Sequence, residues 1–292
     1  MSGGAARVPP WGIATIAPEV LDRLVRAALD EDVGSRDATT EATVDAAAMA
    51  VGTLVARQGL VIAGLDVAMH VFQAVSPKVD WEARAREGDR FKPGDLIASV
   101  AGPARAILTG ERVALNFLQR MSGVATLTQR FVQAVEGTGA KIRDTRKTTP
   151  LLRALEKRAV EIGGGVPHRS GLNTGILVKD NHVRLAGSVG EATRRAVAAA
   201  DGLLVEIEVD SAGQIEEAIA NGAQMILLDN FTPDQVRAAV ARIAGRVAVE
   251  VSGGVRLENV RAYAEAGPNY IAVGALTHSA PAMDISLEVE PA

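Results

Sequence analysis

The segment from Arg143 to Pro150, "RDTRKTTP", places three cations, one aspartate and three threonines side by side. The chain as a whole is acidic, with Lys+Arg 31 against Asp+Glu 35 and a net charge of -4. A local excess of cations against the global charge indicates a binding site for an anion. Arg146 and Lys147 fall between a predicted strand and a predicted helix, where free backbone N–H groups also attract an anion.

A second group of candidate anion ligands follows a run of glycines. His168 and Arg169 come after "GGGVP", and Lys179 ends the next predicted strand. Glycine lets the backbone approach a ligand closely, so these side chains are candidates for the same anion site. The alternative interpretation is a hydrogen-bonded surface pair, His168 with Arg169, that binds nothing.

Acidic residues lie at the ends of two later strands. The segment "LLVEIEVD" ends with Glu206 or Glu208, and "QMILLDN" ends with Asp229. Carboxylate oxygens suit magnesium, so Glu208 and Asp229 are predicted to hold Mg²⁺ together with oxygens of a ligand. The four histidines show no metal-binding spacing, which disfavours a histidine-based metal site.

The last two predicted strands end in small residues. Ser252 and Gly253 belong to "VSGGV", and Gly274 opens "GALTHS". Small residues leave backbone N–H groups accessible, and the final βα loops of a barrel commonly bind phosphate. The alternative is a pair of ordinary tight turns.

These residues require strands that end at one common face. From Lys141 onward, short apolar segments alternate with helical ones such as "SVGEATRRAVAAA" and "TPDQVRAAVARIAG". Alternating strands and helices predict βαβ units and a parallel sheet, here with about six units, enough for a TIM-like barrel. The candidate strands are "KIRDT", "GILVKDN", "LLVEIEVD", "QMILLDN", "VAVEVSGG" and "YIAVGA".

The first third of the chain has a different pattern. A helix is predicted from Pro18, and residues 50–102 alternate short apolar runs with Gly and Pro around one helix, which is typical of an α+β segment. Residues 109–137 are predicted to form one long helix or two abutting helices with a break near Ser122 and Gly123. We therefore place an N-terminal domain at residues 1–120 and a barrel domain at 121–275.

The composition excludes several classes of protein. With Cys 0 there is no disulfide framework or thiolate nucleophile, which favours a reducing, cytoplasmic setting. The acidic net charge argues against nucleic-acid and membrane-surface partners, and the sequence shows neither a signal peptide nor a long apolar span.

Several motifs together resemble one enzyme family. The chain resembles the quinolinate phosphoribosyltransferases in "DTRKTTPLLRALEKRAV", "GGGVPHRSGL", "LVKDNH", "EIEVD", "ILLDN", "EVSGG" and "VGALTHS", and further upstream in "LDEDVGSRDATT" and "GERVALNFLQRMSGVAT". The resemblance covers nearly the whole chain. It implies an α/β fold with an incomplete TIM-like barrel and an N-terminal open α/β sandwich domain that includes the end of the chain, residues 276–292.

The resemblance also implies a reaction. Quinolinate displaces pyrophosphate from 5-phosphoribosyl-1-pyrophosphate (PRPP) with magnesium present, then loses CO₂ to give nicotinate mononucleotide. It implies catalytic roles for Lys147, Glu208 and Asp229, with Glu208 and Asp229 near ribose and magnesium. The quinolinate-binding residues of the family correspond to Arg112, Arg146, His168, Arg169 and Lys179, with Lys147 shared with PRPP. The phosphate contacts correspond to Ser252, Gly253, Gly274 and His278.

The family assembles at least as a homodimer, which implies that Arg112 reaches the site of the neighbouring subunit. Because Lys147 and Arg169 belong to loops at the barrel mouth, replacing either by alanine is expected to abolish turnover and leave the fold intact. Two departures from the family pattern, Pro167 and Thr174, lie beside the quinolinate cations and concern fine specificity.

Other functions share parts of this pattern. A paralogue associated with molybdenum transport has the His-Arg and Thr-Arg-Lys-Thr elements with another acceptor. A Schiff-base aldolase would use Lys179 at the same barrel face, although quinolinate has no ketone or aldehyde. A non-catalytic phosphate-binding barrel is the third alternative.

Overall fold

The computed structural model describes residues 16–292, so the first residues of the predicted N-terminal domain lie outside the described residues. The helices are α1 (Pro18–Val33), α2 (Ala38–Thr43), α3 (Leu65–Val75), α4 (Ala104–Ala134), α5 (Arg153–Ile162), α6 (Asp180–Ala186), α7 (Val189–Ala198), α8 (Ala212–Ala220), α9 (Pro233–Ile243), α10 (Val260–Glu265) and α11 (Ala275–His278). The strands are β1 (Met49–Ala56), β2 (Leu60–Val61), β3 (Asp80–Ala83), β4 (Arg90–Phe91), β5 (Leu96–Pro103), β6 (Lys141–Arg143), β7 (Ile176–Val178), β8 (Val205–Val209), β9 (Met225–Asp229), β10 (Ala248–Ser252), β11 (Tyr270–Ala272) and β12 (Ile285–Pro291).

Contacts group the described residues into two units. The parallel-sheet unit contains residues 130–148 and 164–278, and the antiparallel-sheet unit contains residues 16–129, 149–163 and 279–292. The predicted domain boundaries, at residues 120 and 275, stay predictions.

The parallel-sheet unit is built on six strands in the order β6, β11, β10, β9, β8, β7. Every neighbouring pair is parallel, and strands that are consecutive in the chain are neighbours except β6 and β7. The strand order is therefore that of a βα barrel, except that β6 and β7 do not pair and the barrel is open between them. The prediction of an incomplete α/β barrel on six strands is confirmed.

Local sequence explains where these strands and helices begin and end. Strands β8, β9 and β10 are buried almost throughout, as parallel strands covered on both faces should be. Helix α9 begins with a reciprocal capping box between Thr232 and Gln235, and α7 begins with Ser188 accepting the N–H of Glu191. The capping box fixes the start of α9, so the loop that follows β9 spans only residues 230–232.

The antiparallel-sheet unit contains a four-stranded sheet in the order β12, β1, β5, β3. The last strand of the chain, β12, pairs with β1 along its length, from Ile285 opposite Ala56 to Pro291 opposite Ala50. Strands β2 and β4 form a separate short pair. The α+β pattern predicted for residues 50–102 and the helix predicted from Pro18 are confirmed.

Helix α4 corrects one prediction. It runs through Ser122 and Gly123 without the predicted break. A side chain at Gly123 would collide with the backbone of Pro281, and Ser122 Oγ accepts the N–H of Ala63 at 3.1 Å, so both residues serve close packing. No helix within residues 16–292, α4 included, is long and apolar enough to cross a membrane.

Candidate active site

Charged side chains collect where the parallel strands end. Strand β6 leads into Arg146 and Lys147, and β7 leads into Lys179. Strand β8 carries Glu208 near its end, and β9 ends at Asp229. The carboxyl ends of parallel barrel strands meet at one face, so these side chains lie around a common mouth.

Two guanidinium groups lie near each other at this mouth. Arg169 is 5% exposed, and its Nη1 donates to the carbonyl of Gly175 at 2.9 Å. Burial lowers the pKa of Arg169, and the neighbouring positive charge of Arg146 lowers that pKa further. Two cations held together in a partly desolvated place form a site for an anion with more than one negative oxygen.

The neighbouring residue, His168, is buried, with 6% of it exposed. Both nitrogens of its ring have hydrogen-bond partners. Nδ1 accepts the backbone N–H of Arg169 at 2.7 Å. Nε2 lies 3.1 Å from Glu206 Oε2 and 3.4 Å from Glu250 Oε1. A neutral imidazole carries one N–H, so we assign the proton to Nε2, which donates to Glu206 Oε2, whereas Glu250 Oε1 lies nearby without a hydrogen bond.

Arg143 completes what we call the buried cluster: Arg143, His168, Glu206 and Glu250. Arg143 Nη1 donates to Glu250 Oε2 at 2.7 Å, with both side chains fully buried, and its guanidinium stacks 3.7 Å from the ring centre of Tyr270. Burial raises the pKa of Glu206 to about 7 despite the nearby charges of Arg143 and Arg169. Burial, and then the charge of Glu206, raises the pKa of Glu250 as well.

An acidic cleft of ≈ 280 Å³ opens beside the cations. Lys179 Nζ forms an ion pair with Glu208 Oε2 at 2.5 Å at its edge. Burial raises the pKa of Asp229, and the charge of Glu208 raises it further, so these two carboxylates repel each other. The charged residues that line the acidic cleft are Asp180, Arg184, Glu208, Asp210 and Asp229.

Lys147, Gly274 and His278 lie together on another side of the mouth. A Cβ added at Gly274 would lie 3.0 Å from His278 Nε2 and 3.4 Å from Lys147 Cδ. Thr277 Oγ1 donates to the carbonyl of Lys147 at 2.8 Å, which ties the loop after β6 to α11. A side chain at Gly274 would therefore crowd the His278 ring and contact Lys147.

The turn after β10 lies beside the end of β9. Asn230 donates its N–H to the carbonyl of Ser252 at 2.9 Å and its side-chain amide to Asp229 Oδ2 at 2.7 Å. Gly253 has φ 93, and a Cβ there would lie 2.9 Å from the backbone nitrogen of Asn230. Ser252 and Gly253 are thus held next to Asp229, and their predicted contact with phosphate stays a prediction.

All predicted site residues except Arg112 belong to the parallel-sheet unit. Arg112 is exposed on α4 in the antiparallel-sheet unit. Lys147 is exposed in a loop, as expected, but Arg169 is buried, so the expectation that its loss leaves the fold intact loses its basis. The individual roles of these residues stay predictions.

One group of three possible metal ligands comes together within residues 16–292: His168, Glu206 and Glu250, whose donor atoms lie within 4.8 Å of one another. The histidine spacing in the sequence did not predict it. The guanidinium of Arg143 already pairs with Glu250, and His168 Nε2 is hydrogen-bonded to Glu206, so we interpret the group as a buried polar network.

Sequence reasoning missed the buried cluster as a unit. It left Glu206 as an alternative to Glu208 and gave no role to Glu250. It counted Arg143 among the cations of the anion site, whereas the structure buries Arg143 against Glu250. The available pattern was a charged residue inside an apolar strand, in "EIEVD" and "VEVS". A buried charge requires a partner, so two such strands in one sheet predict a pair, although not its members.

Comparison with known proteins identifies the family of this chain. A family model described as the quinolinate phosphoribosyl transferase C-terminal domain matches residues 124–288, and the N-terminal domain of that family matches residues 37–122. The chain belongs to the quinolinate phosphoribosyltransferase family. The prediction of this family is confirmed.

Individual members of the quinolinate phosphoribosyltransferase family are similar along most of the chain. The nicotinate-nucleotide pyrophosphorylase [carboxylating] of Mycobacterium leprae is 48% identical over 271 residues, covering 91% of this chain and 95% of that protein. A quinolinate phosphoribosyltransferase [decarboxylating] of Nicotiana tabacum is 37% identical, covering 92% of this chain and 82% of that protein. The structure of the Francisella tularensis nicotinate-nucleotide pyrophosphorylase superposes with a TM-score of 0.92 at 34% identity, covering 95% and 99%. None of these names refers to molybdenum transport.

Proposed function

We propose that the protein transfers the phosphoribosyl group of PRPP to quinolinate and releases pyrophosphate and CO₂, giving nicotinate mononucleotide for NAD biosynthesis. Membership of the family supports the reaction class. One observation of the site carries the proposal: the cation pair Arg146 and Arg169 adjoins the acidic cleft, with Lys179 ion-paired to Glu208 at the cleft's edge. Such a mouth suits a dianionic acceptor beside a magnesium-bound phosphoribosyl donor.

The cations bind and orient quinolinate. Guanidinium groups bind carboxylates through paired hydrogen bonds, so Arg146 and Arg169 hold the dicarboxylate and direct its ring nitrogen at the anomeric carbon of PRPP. Lys179 adds a further positive charge. Positioning of this kind supplies most of the rate enhancement when two substrates must meet in one geometry.

PRPP occupies the rest of the mouth. Ser252, Gly253, Gly274 and His278 contact the 5-phosphate, where small residues leave room for it. Lys147 lies beside Gly274 and His278 and neutralises the pyrophosphate as it leaves. The carboxylates of Glu208 and Asp229 bind the ribose and stabilise positive charge that develops there.

Magnesium fits the acidic cleft by the chemistry of its donors. Carboxylate oxygens are hard ligands, and a dication relieves the repulsion that raises the pKa of Asp229. Glu208 and Asp229 would hold the ion together with PRPP oxygens. Bound Mg²⁺ supplies charge neutralisation for the departing pyrophosphate.

The two chemical steps need no organic cofactor. The ring nitrogen of quinolinate forms a bond to the anomeric carbon as the bond to pyrophosphate breaks, and pyrophosphate leaves with the electron pair. The bond between the ring and the carboxylate next to the quaternary nitrogen then breaks and CO₂ leaves. The electron pair stays on the ring carbon, where the adjacent positive nitrogen stabilises it until a proton adds to that carbon. Lys179, 46% exposed and ion-paired, lacks the desolvated setting that activates a Schiff-base lysine.

We further propose that the enzyme works in the cytoplasm as a homodimer or a larger assembly of dimers. Arg112 supports this assembly, because it is an exposed cation that the family pattern assigns to quinolinate, and it belongs to the other unit of the chain. In this proposal Arg112 completes the site of the neighbouring subunit.

Incubation with quinolinate, PRPP and Mg²⁺, followed by measurement of nicotinate mononucleotide and CO₂, tests the reaction. Nicotinate replaces quinolinate as the control acceptor. We expect product with quinolinate and none with nicotinate, because nicotinate lacks the second carboxylate and leaves part of the cation pair without its anionic partner. Binding of PRPP without product from quinolinate would contradict the proposal and favour the paralogue with a different acceptor.

A further inference from the structure

The engagement of both ring nitrogens of His168 limits what this residue can do for a substrate. Nδ1 accepts the N–H of Arg169 at 2.7 Å, and Nε2 faces Glu206 at 3.1 Å. The ring is 6% exposed. A histidine that binds a carboxylate must offer it an N–H, and here the single N–H of the neutral ring points at the buried carboxylate of Glu206.

Arg169 is fixed by the surroundings of His168. The backbone N–H of His168 donates to Asp144 Oδ1 at 2.7 Å, just after β6. Two residues earlier, Val166 donates its N–H to Ile142 on β6 at 2.8 Å. The chain that carries Arg169 is therefore held by β6, by the His168 ring and by the carbonyl of Gly175.

The support continues through the interior of the sheet. Glu206 stands on β8 and Glu250 on β10, so the two carboxylates reach His168 from different strands. Glu250 is held by Arg143 of β6 at 2.7 Å, and Arg143 stacks on Tyr270 of β11. Each link is buried, so the ring of His168 has one orientation that keeps all of these contacts.

We propose that His168 is a positioning residue that never contacts quinolinate: its Nδ1 holds the backbone of Arg169, and Glu206 holds its ring in the Nε2–H form. The inference rests on the proposed function, since it assigns Arg169 to the acceptor carboxylates. It changes the role that the family pattern gave His168, from a ligand of quinolinate to a support for one.

Nitrogen NMR of the intact enzyme labelled with ¹⁵N histidine tests this directly. The chain has four histidines, and the signals lost in His168→Asn identify those of His168. We expect the neutral Nε2–H form both in the free enzyme and with saturating quinolinate in the absence of PRPP. Conversion of His168 to the imidazolium on addition of quinolinate, or a proton on Nδ1, would overturn the proposal. His182 is the internal reference, because its Nδ1 accepts the N–H of Lys179 in an exposed setting.

Two substitutions separate positioning from substrate contact. Asparagine at position 168 offers a carbonyl oxygen near Nδ1, whereas phenylalanine keeps the ring shape without an acceptor. We expect His168→Phe to lose on the order of 100-fold in kcat/KM, the cost of misplacing a binding group by about 1 Å, and His168→Asn to recover a clear part of it. Equal losses in two folded variants would contradict the inference.

A second pair of variants covers the case in which His168 variants fail to fold. Glu206→Gln keeps an oxygen that accepts from Nε2, so the Nε2–H signals should persist, whereas Glu206→Leu should broaden or shift them. Unchanged His168 signals in folded Glu206→Leu count against the inference. The unaltered enzyme distinguishes failure of the proposed function from failure of this inference. If it does not bind quinolinate, the proposed function is wrong and this inference with it. If it turns over quinolinate while His168 becomes an imidazolium, only this inference is wrong.

Discussion

The buried cluster and the acidic cleft use the same residue types for different purposes. Glu206 and Glu208 are two residues apart on β8, so their side chains point to the same face of the strand. The side chain of Glu206 is fully buried, whereas that of Glu208 is 12% exposed. Burial raises the pKa of Glu206 to about 7, while Glu208 meets the ammonium of Lys179 at 2.5 Å. Depth along a strand, more than residue type, decides whether a carboxylate supports the site or faces the ligand.

The basic partners differ in the same way. Glu250 is paired with a guanidinium that is itself fully buried, and Glu208 with an ammonium that is 46% exposed. Loss of one member of a buried pair leaves an uncompensated charge, whereas loss of one member at the mouth leaves a group that water can solvate. Substitutions can therefore separate the two regions by stability and activity.

The largest expected effect is on stability, in Glu250→Gln. Removing the negative charge of Glu250 leaves the Arg143 guanidinium buried without a counter-ion. We therefore expect the free energy of unfolding, measured by urea denaturation, to fall by about 3–5 kcal/mol. Glu208→Gln is the matched control and should change stability by less than about 1 kcal/mol while it lowers turnover. Equal destabilisation by both variants would show that depth does not separate the regions.

Lys147→Ala is expected to have the largest effect on turnover with the least effect on the fold. The side chain is exposed, and its loss removes one charge from the leaving pyrophosphate, so kcat should fall by about 10²- to 10³-fold. Steady-state kinetics and thermal unfolding measure the two quantities. Lys141→Ala, an exposed lysine at the opposite end of β6, is the control and should retain activity. Activity of Lys147→Ala close to that of the control would remove Lys147 from the reaction.

The residues around the acidic cleft could be predicted from the sequence, whereas the pairing within the buried cluster could not. Charged residues just after apolar strands, such as Lys179 and Asp229, mark strand ends, and parallel strands bring their ends together. Glu250 sits within an apolar strand, and its partner Arg143 is far from it along the chain. Periodicity predicts that both point inward, but the pairing depends on which strands are neighbours and on their register, which β6 reaches only through β11.

The His168 ring shows the same limit at the level of atoms. The motif "PHRSG" predicts a histidine and an arginine near an anion, and the structure buries both side chains beside the barrel mouth. Which ring nitrogen is occupied depends on a backbone N–H and on a carboxylate from a distant strand. For α4, Gly123 predicted a break because glycine weakens helices, but close approach of the Pro281 backbone explains the glycine instead.

A glycine pair at the mouth offers a smaller test. Gly253→Ala places a Cβ against Asn230 at a positive φ and should cost about 1–3 kcal/mol of stability and weaken PRPP binding. Gly254 also has a positive φ, 63, but a Cβ added there would meet no atom within 4 Å, so Gly254→Ala should cost about 1 kcal/mol. Urea denaturation and titration with PRPP measure both variants. A larger effect from Gly254→Ala would mean that the contact with Asn230 does not shape the phosphate site.

The smallest expected signal concerns the residue that belongs to neither region, Arg112. If Arg112 completes the site of the neighbouring subunit, each site of a two-fold dimer combines Arg112 of one chain with Lys147 of the other. Arg112→Ala and Lys147→Ala should each be nearly inactive alone. After the two variants are unfolded and refolded together, half of the dimers carry one chain of each kind, and each of these has one intact site. Activity should return to about a quarter of that of the unaltered enzyme, as two-fold symmetry requires. No recovery in a mixture that forms dimers would place Arg112 in the site of its own chain or outside the site, and the cleft would then need no second subunit.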